Sequence, residues 1–164
     1  MVQNSQEMMN VQLNLSEQQI LLTYCKRNAV AAVLHDREGE LTSRLASQAG
    51  ALLLAYPFSD TSDLEKLQLY LQGASDTIIH YSPATRALTA LPDDLLDFVY
   101  VSDYQEFCSY PDMLYLIKMK LKHKGIVCGT NFEQLSKYIV PAFGEPDVVT
   151  DSLGKIWVKG VYKG

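Results

Sequence analysis

The chain is short of cysteine, of positive charge and of long apolar runs. Its three cysteines, Cys25, Cys108 and Cys128, are scattered, with no CxxC or Cys/His spacing. That argues against a disulfide framework and against a zinc site. Cys25 and Cys128 stand in apolar surroundings and read as core fillers. Lys and Arg number 14 against 19 Asp and Glu, a net charge of −5. No nucleic-acid partner is expected from that balance. Lys118, Lys120, Lys122 and Lys124 cluster, but at a spacing of two they are expected to spread around a solvated helix end. No stretch reaches the roughly 18 apolar residues of a membrane span. The segment from Met1 to Asn14 is polar and lacks the basic start and apolar run of a signal peptide. No membrane partner is therefore expected, and a reducing, cytoplasmic location is.

What is present suits one domain. The 164 residues are 48% hydrophobic, enough for a full core. Residues 1–13 are rich in Gln and Asn and read as a flexible lead, leaving residues 14–164 as a single domain. Ser16 and Gln19 have capping-box spacing, with Leu15 placed to staple onto Ile20, and predict a helix to about Arg27. Ile20, Leu21, Tyr24 and Cys25 would share its apolar face.

Short apolar runs then alternate with helical spacing. Residues 29–34, 51–55, 77–81, 98–101 and 125–129 read as buried strands. Between them, helices are predicted through Leu41, Leu45 and Ala46, through Leu64, Leu67 and Leu71, over a short piece at 82–91, and from Pro111 through Leu121. Gly50 reads as the C-terminal residue of the first of these. Phe132 to Phe143 is a further helix, broken by Gly144-Glu145-Pro146. Two strand-like runs flank Asp151-Ser152-Leu153-Gly154 and predict a closing hairpin. The expectation is an α/β fold, a three-layer α/β/α Rossmann-like sandwich with a mostly parallel sheet.

Specific residues sharpen this. Leu91-Pro92-Asp93-Asp94-Leu95-Leu96-Asp97-Phe98-Val99-Tyr100-Val101 resembles the approach to strand four in class I S-adenosylmethionine-dependent methyltransferases. Leu121-Lys122-His123-Lys124-Gly125-Ile126-Val127 is similar to that family's Leu-Lys-Pro-Gly-Gly pattern before strand five, with His123 and Lys124 in place of Pro and Gly. The resemblance spans about residues 29 to 162. It implies a seven-stranded sheet ending in an antiparallel hairpin, and S-adenosylmethionine as cofactor.

The ligand positions that the resemblance implies carry unusual residues. After strand one stand His35, Asp36 and Gly39, where the family has a glycine-rich loop behind an acid. After strand two stands Tyr56, where the family has an acid for the ribose hydroxyls. Tyr56 donates one hydrogen bond but cannot accept in bidentate fashion. After strand three come Tyr81 and Ser82, and after strand four Ser102 and Asp103. Some relatives hold a divalent metal between an Asp at the position of Ser102 and an Asp-Asn pair matching Thr130-Asn131. Ser102, Thr130 and Asn131 supply no anionic oxygen, so no metal is expected.

Cofactor-binding candidates are thus His35, Asp36, Gly39, Tyr56, Tyr81, Ser82 and Ser102. Asp103 and His35 are the candidate catalytic acid–base groups. Each also has a plainer reading: a solvated loop histidine, helix N-cap aspartates, a glycine with positive φ, an aromatic core cap. Tyr104, Phe107, Tyr110 and Tyr115 could line an acceptor pocket or a dimer surface. Two functions follow from the resemblance. One is a divergent methyltransferase acting on a small-molecule acceptor. The other is a non-catalytic protein of that fold, serving as an interaction or regulatory subunit with a protein partner or as a homo-oligomer.

Overall fold

β4, Leu96–Val101, is the strand around which the sheet is built. Four of its six residues, Phe98, Val99, Tyr100 and Val101, are β-branched or aromatic, it has no Gly or Pro, and all are buried but half-buried Asp97. Such a run suits a strand covered on both faces. The computed structural model describes residues 15–34, 40–55, 77–80, 84–101, 110–149 and 156–163. The expected lead at 1–13, the helix through Leu64 to Leu71, the hairpin turn at 151–154 and Cys108 lie outside them.

The remaining strands are β1 (Val30–Leu34), β2 (Ala51–Ala55), β3 (Thr77–His80), β5 (Leu121–Gly129), β6 (Asp147–Val148) and β7 (Trp157–Val161). They form a seven-stranded sheet in the order β3-β2-β1-β4-β5-β7-β6. The first five are parallel, and β7 lies antiparallel to both β5 and β6. The closing hairpin and the α/β/α sandwich are as the sequence predicts.

Helices cover both faces. On one, α1 (Leu15–Thr23) and α2 (Glu40–Gln48) place Leu21, Leu22, Leu41 and Leu45 against Ala31, Val33, Phe98, Tyr100, Cys128 and Val158. On the other, α3 (Ala84–Thr89), α4 (Tyr110–Lys120) and α5 (Phe132–Phe143) place Leu88, Met113, Ile117 and Ile139 against Ala32, Leu34, Val99, Val101, Val127 and Trp157. Odd and even strand residues thus serve opposite faces, the period of two that a pleated strand imposes. Cys25 and Cys128 are both buried in the first layer, as expected.

Four local expectations are corrected. First, α1 begins at Leu15, so Ser16 sits in its first turn rather than ahead of it, and Leu15 is exposed. The helix also stops at Thr23, not Arg27, and Tyr24 is exposed. Its end is tied off from outside. Gln48 Nε2 donates to Leu22 O at 3.0 Å and also to Cys25 O. Asn28 then turns the chain with φ 63.

Second, Gly50 is not a left-handed cap, since Gly144 is the glycine of positive φ among the described residues. Gly50 is needed for space, because a Cβ there would lie 2.8 Å from Asn28 O. Third, β5 starts at Leu121 rather than Gly125. Fourth, the lysine cluster does not ring one helix end. Lys122 and Lys124 belong to β5, and Lys120 is buried at 7% exposure. Its ammonium donates to Leu91 O at 2.6 Å and to Asp93 Oδ1 at 2.8 Å, which satisfies the charge inside the fold.

Candidate functional site: the β1/β4 crevice

The order of strands contains one reversal. From β1 the sheet grows outward to β2 and β3, and from β4 it grows the other way to β5. β1 and β4 are neighbours, in register from Ala31↔Phe98 to Leu34↔Val101. The described helices that next follow β1 and β4, α2 and α4, lie on opposite faces of the sheet, which marks the crevice between the two strand ends. In open α/β sheets that reversal, at the carboxyl ends of the strands, is where ligands bind.

The strand ends at this edge are anchored in the core. Leu34 and Val101 are fully buried, and Gly129 closes β5 beside Val101. Gly129 is required by close packing. A Cβ there would lie 2.6 Å from Val101 O and 2.9 Å from the Trp157 ring. Trp157 faces Gly129 across the β5/β7 ladder, and its Nε1 donates to Thr130 O at 3.2 Å. Thr130 and Asn131 follow, both buried. Asn131 takes a left-handed conformation, φ 61 and ψ 44, immediately before α5. Its Nδ2 donates to Gln134 Oε1 at 3.0 Å. An Asn tolerates this conformation better than most residues.

Every residue expected at the site stands just past a strand end. His35, Asp36 and Gly39 follow Leu34; Tyr56 follows Ala55; Tyr81 and Ser82 follow His80; Ser102 and Asp103 follow Val101. All of them lie outside the described residues. What the sheet fixes is their points of attachment, which it brings to one edge: Leu34 pairs with both Ala55 and Val101, and Ala55 pairs with His80. β1 and β2 themselves, Val-Ala-Ala-Val-Leu and Ala-Leu-Leu-Leu-Ala, carry no acid. Among the described residues no three of His, Cys, Asp and Glu come together. Of the aromatic residues expected to line a pocket or a dimer surface, Tyr115 is 65% exposed on α4.

The two described thiols are no nucleophiles at neutral pH. Burial pushes Cys25 up to about 11, with the nearby Asp97 charge adding to the effect. Burial also raises Cys128 well above the ordinary thiol value. Both stay protonated and inert. The link that sequence reading missed is Trp157 to Thr130. Its only trace in the sequence is a glycine ending β5, which leaves room for a large ring.

No protein-family model matches the chain, and no curated protein matches it. Solved structures do. A precorrin 8W decarboxylase from Methanobacterium thermoautotrophicum superposes with a TM-score of 0.70 at 17% identity, over 92% of each chain. A precorrin-6y C5,15-methyltransferase from Geobacter metallireducens gives 0.69 at 11% identity, over 93% of this chain and 90% of its own. A Haemonchus contortus phosphoethanolamine N-methyltransferase, solved with phosphoethanolamine and S-adenosylhomocysteine, gives 0.60 at 16% identity. That match covers 77% of this chain and 28% of the Haemonchus enzyme. Likeness at these identities is a likeness of fold. With the strand order and the closing hairpin, it establishes that this chain has the class I S-adenosylmethionine-dependent methyltransferase fold.

Proposed function

We propose that the chain binds S-adenosylmethionine at the β1/β4 crevice and methylates a small-molecule acceptor. The observation that carries the reading is the sheet reversal between β1 and β4, on a fold whose solved relatives include methyltransferases. The polar partners would come from the segments that follow the strands. His35, Asp36 and Gly39 would hold the cofactor from the β1 side, Tyr56, Tyr81 and Ser82 from β2 and β3, and Ser102 from β4.

When bound, the cofactor supplies an electrophilic methyl group on a sulfonium. The residues' share of the work is mainly alignment of donor and acceptor. Asp103 or His35 would take the proton from an acceptor hydroxyl or amine. No step requires a metal. The precorrin enzymes, which match over nearly the whole chain, favour a small organic acceptor over a macromolecular one.

One observation favours a second reading. Neither β1 nor β2 contains an acid, and Tyr56 stands where the family pattern has the ribose-binding carboxylate. A protein so altered would serve as an interaction or regulatory subunit with its crevice empty of cofactor.

Ultraviolet crosslinking with methyl-tritiated S-adenosylmethionine separates the two. The enzyme reading expects label on peptides containing 35–39 or 102–103, displaced by excess S-adenosylhomocysteine. Label that resists displacement, or that maps elsewhere, would sink it in favour of the second.

A further inference from the structure

We infer that Trp157 is a positioning residue for the ligand crevice, setting the height and tilt of its β5 rim from the hairpin behind it. The inference rests on the reading that this crevice binds S-adenosylmethionine.

Three contacts carry it. The indole lies against Gly129, the last residue of β5, which itself sits against Val101 O at the end of β4. The indole N–H donates to the carbonyl of Thr130, the residue that begins the turn out of the sheet. The ring also stacks on Phe143, the last residue of α5, at 6.3 Å between centroids and 28° between planes. A single fully buried side chain thereby holds the start of the turn before α5 and the end of that helix.

The rim between those holds has little freedom of its own. Gly129 admits no Cβ, Thr130 is buried, and Asn131 is left-handed. A shift of the indole must therefore move the Gly129–Asn131 backbone, and that backbone borders the end of β4, from which Ser102 and Asp103 continue. A purely space-filling ring would need no N–H. A phenyl ring in its place keeps most of the apolar contact but leaves Thr130 O without this donor.

The protein contains one tryptophan, so the position can be read directly. The experiment pairs calorimetric titration with S-adenosylhomocysteine and fluorine NMR of protein carrying 5-fluorotryptophan. Trp157→Phe is expected to bind about tenfold more weakly, because the loosened Gly129–Asn131 rim must be reordered on binding, a change of about 1.4 kcal/mol. Ile139→Ala, a buried α5 position in the same layer, is the control for lost stability and should keep the wild-type affinity. In the wild-type chain the single fluorine resonance should move on titration, with the midpoint found by calorimetry. Wild-type affinity in Trp157→Phe would overturn the inference, and so would a resonance that stays put at saturation. If Trp157→Phe does not fold, the wild-type resonance alone decides. Absence of any heat with the wild-type chain would overturn the cofactor reading itself, and this inference with it.

Discussion

The carboxylate of Asp97 accepts a hydrogen bond from the backbone N–H of Val30 at 2.9 Å, across 67 residues of sequence. The backbone register of β1 with β4 begins one step further on, at Ala31↔Phe98. Asp97 therefore supplies the acceptor that the ladder does not, at the end of the strands opposite the crevice. Its other oxygen lies 3.3 Å from Lys122 Nζ. Asp97→Ala should lower unfolding free energy by about 1–3 kcal/mol, the cost of a half-buried donor left unpaired. Asp97→Asn, which keeps an acceptor, should recover most of the loss. Urea denaturation of both variants measures it, and equal midpoints for the two would remove the hydrogen bond from the account.

Lys124 is the one described residue, other than Asn, Asp and Gly, with positive φ, at 69°. It stands in a stretch where β5 carries extra residues against β4: Leu96 pairs with Leu121, but Phe98 pairs with Ile126. A lysine Cβ is strained in that conformation, and glycine is not. Lys124→Gly is expected to stabilise the protein by about 0.5–1 kcal/mol, and Gly125→Ala to destabilise it by about 1–3 kcal/mol. The second figure follows from space. A Cβ on Gly125 would lie 2.9 Å from Lys122 O and 3.2 Å from Leu96 O. Melting temperatures of the two variants should move in opposite directions.

Lys120 and Lys122 look alike in sequence and differ in the fold. Lys120 is buried with two oxygen partners, whereas Lys122 is half-exposed beside Asp97. Lys120→Met should cost about 1–3 kcal/mol, because the Leu91 carbonyl loses its donor. Lys122→Met should stay within about 1 kcal/mol, as exposed pairs do. Chemical denaturation that ranked them the other way would contradict the placement of Lys120.

Cys25 ties stability to alkaline pH. Burial, aided by the Asp97 charge, raises its thiol from 9.0 to about 11. The folded state thus favours the protonated thiol more than the unfolded state does. That contribution is fully present below pH 9, and is lost as pH rises through about 11. Melting curves between pH 8 and 11 should fall more steeply for the wild-type chain than for Cys25→Ala. Parallel curves would show that the thiol is not the group responsible.

The parts of the fold legible in sequence are those with local periodicity. The apolar run from Phe98 to Val101 and the helix from Phe132 to Phe143 announce themselves, because strand and helix patterns need only neighbouring residues. The pattern around Gly125, expected ahead of β5 and found inside it, was legible too, and the structure supplies its physics: positive φ at 124 and no room for a side chain at 125. What was hidden depends on partners far away in the chain. The early end of α1 is set by Gln48, the burial of Lys120 by Leu91 and Asp93, and the role of Trp157 by Thr130. For the candidate site, sequence pattern offers only residues just past strand ends; the β1/β4 reversal belongs to the strand order, which no local pattern encodes. The roles of His35, Asp36, Gly39, Tyr56, Tyr81, Ser82, Ser102 and Asp103 rest on their positions just past the strand ends.

Whether this crevice takes S-adenosylmethionine is decided by calorimetric titration with S-adenosylmethionine and S-adenosylhomocysteine. Binding tighter than about 100 μM is expected, so that millimolar ligand adds about 1.4 kcal/mol of stability and raises the melting temperature by roughly 3–6 °C. No heat and no thermal shift with either ligand would contradict it.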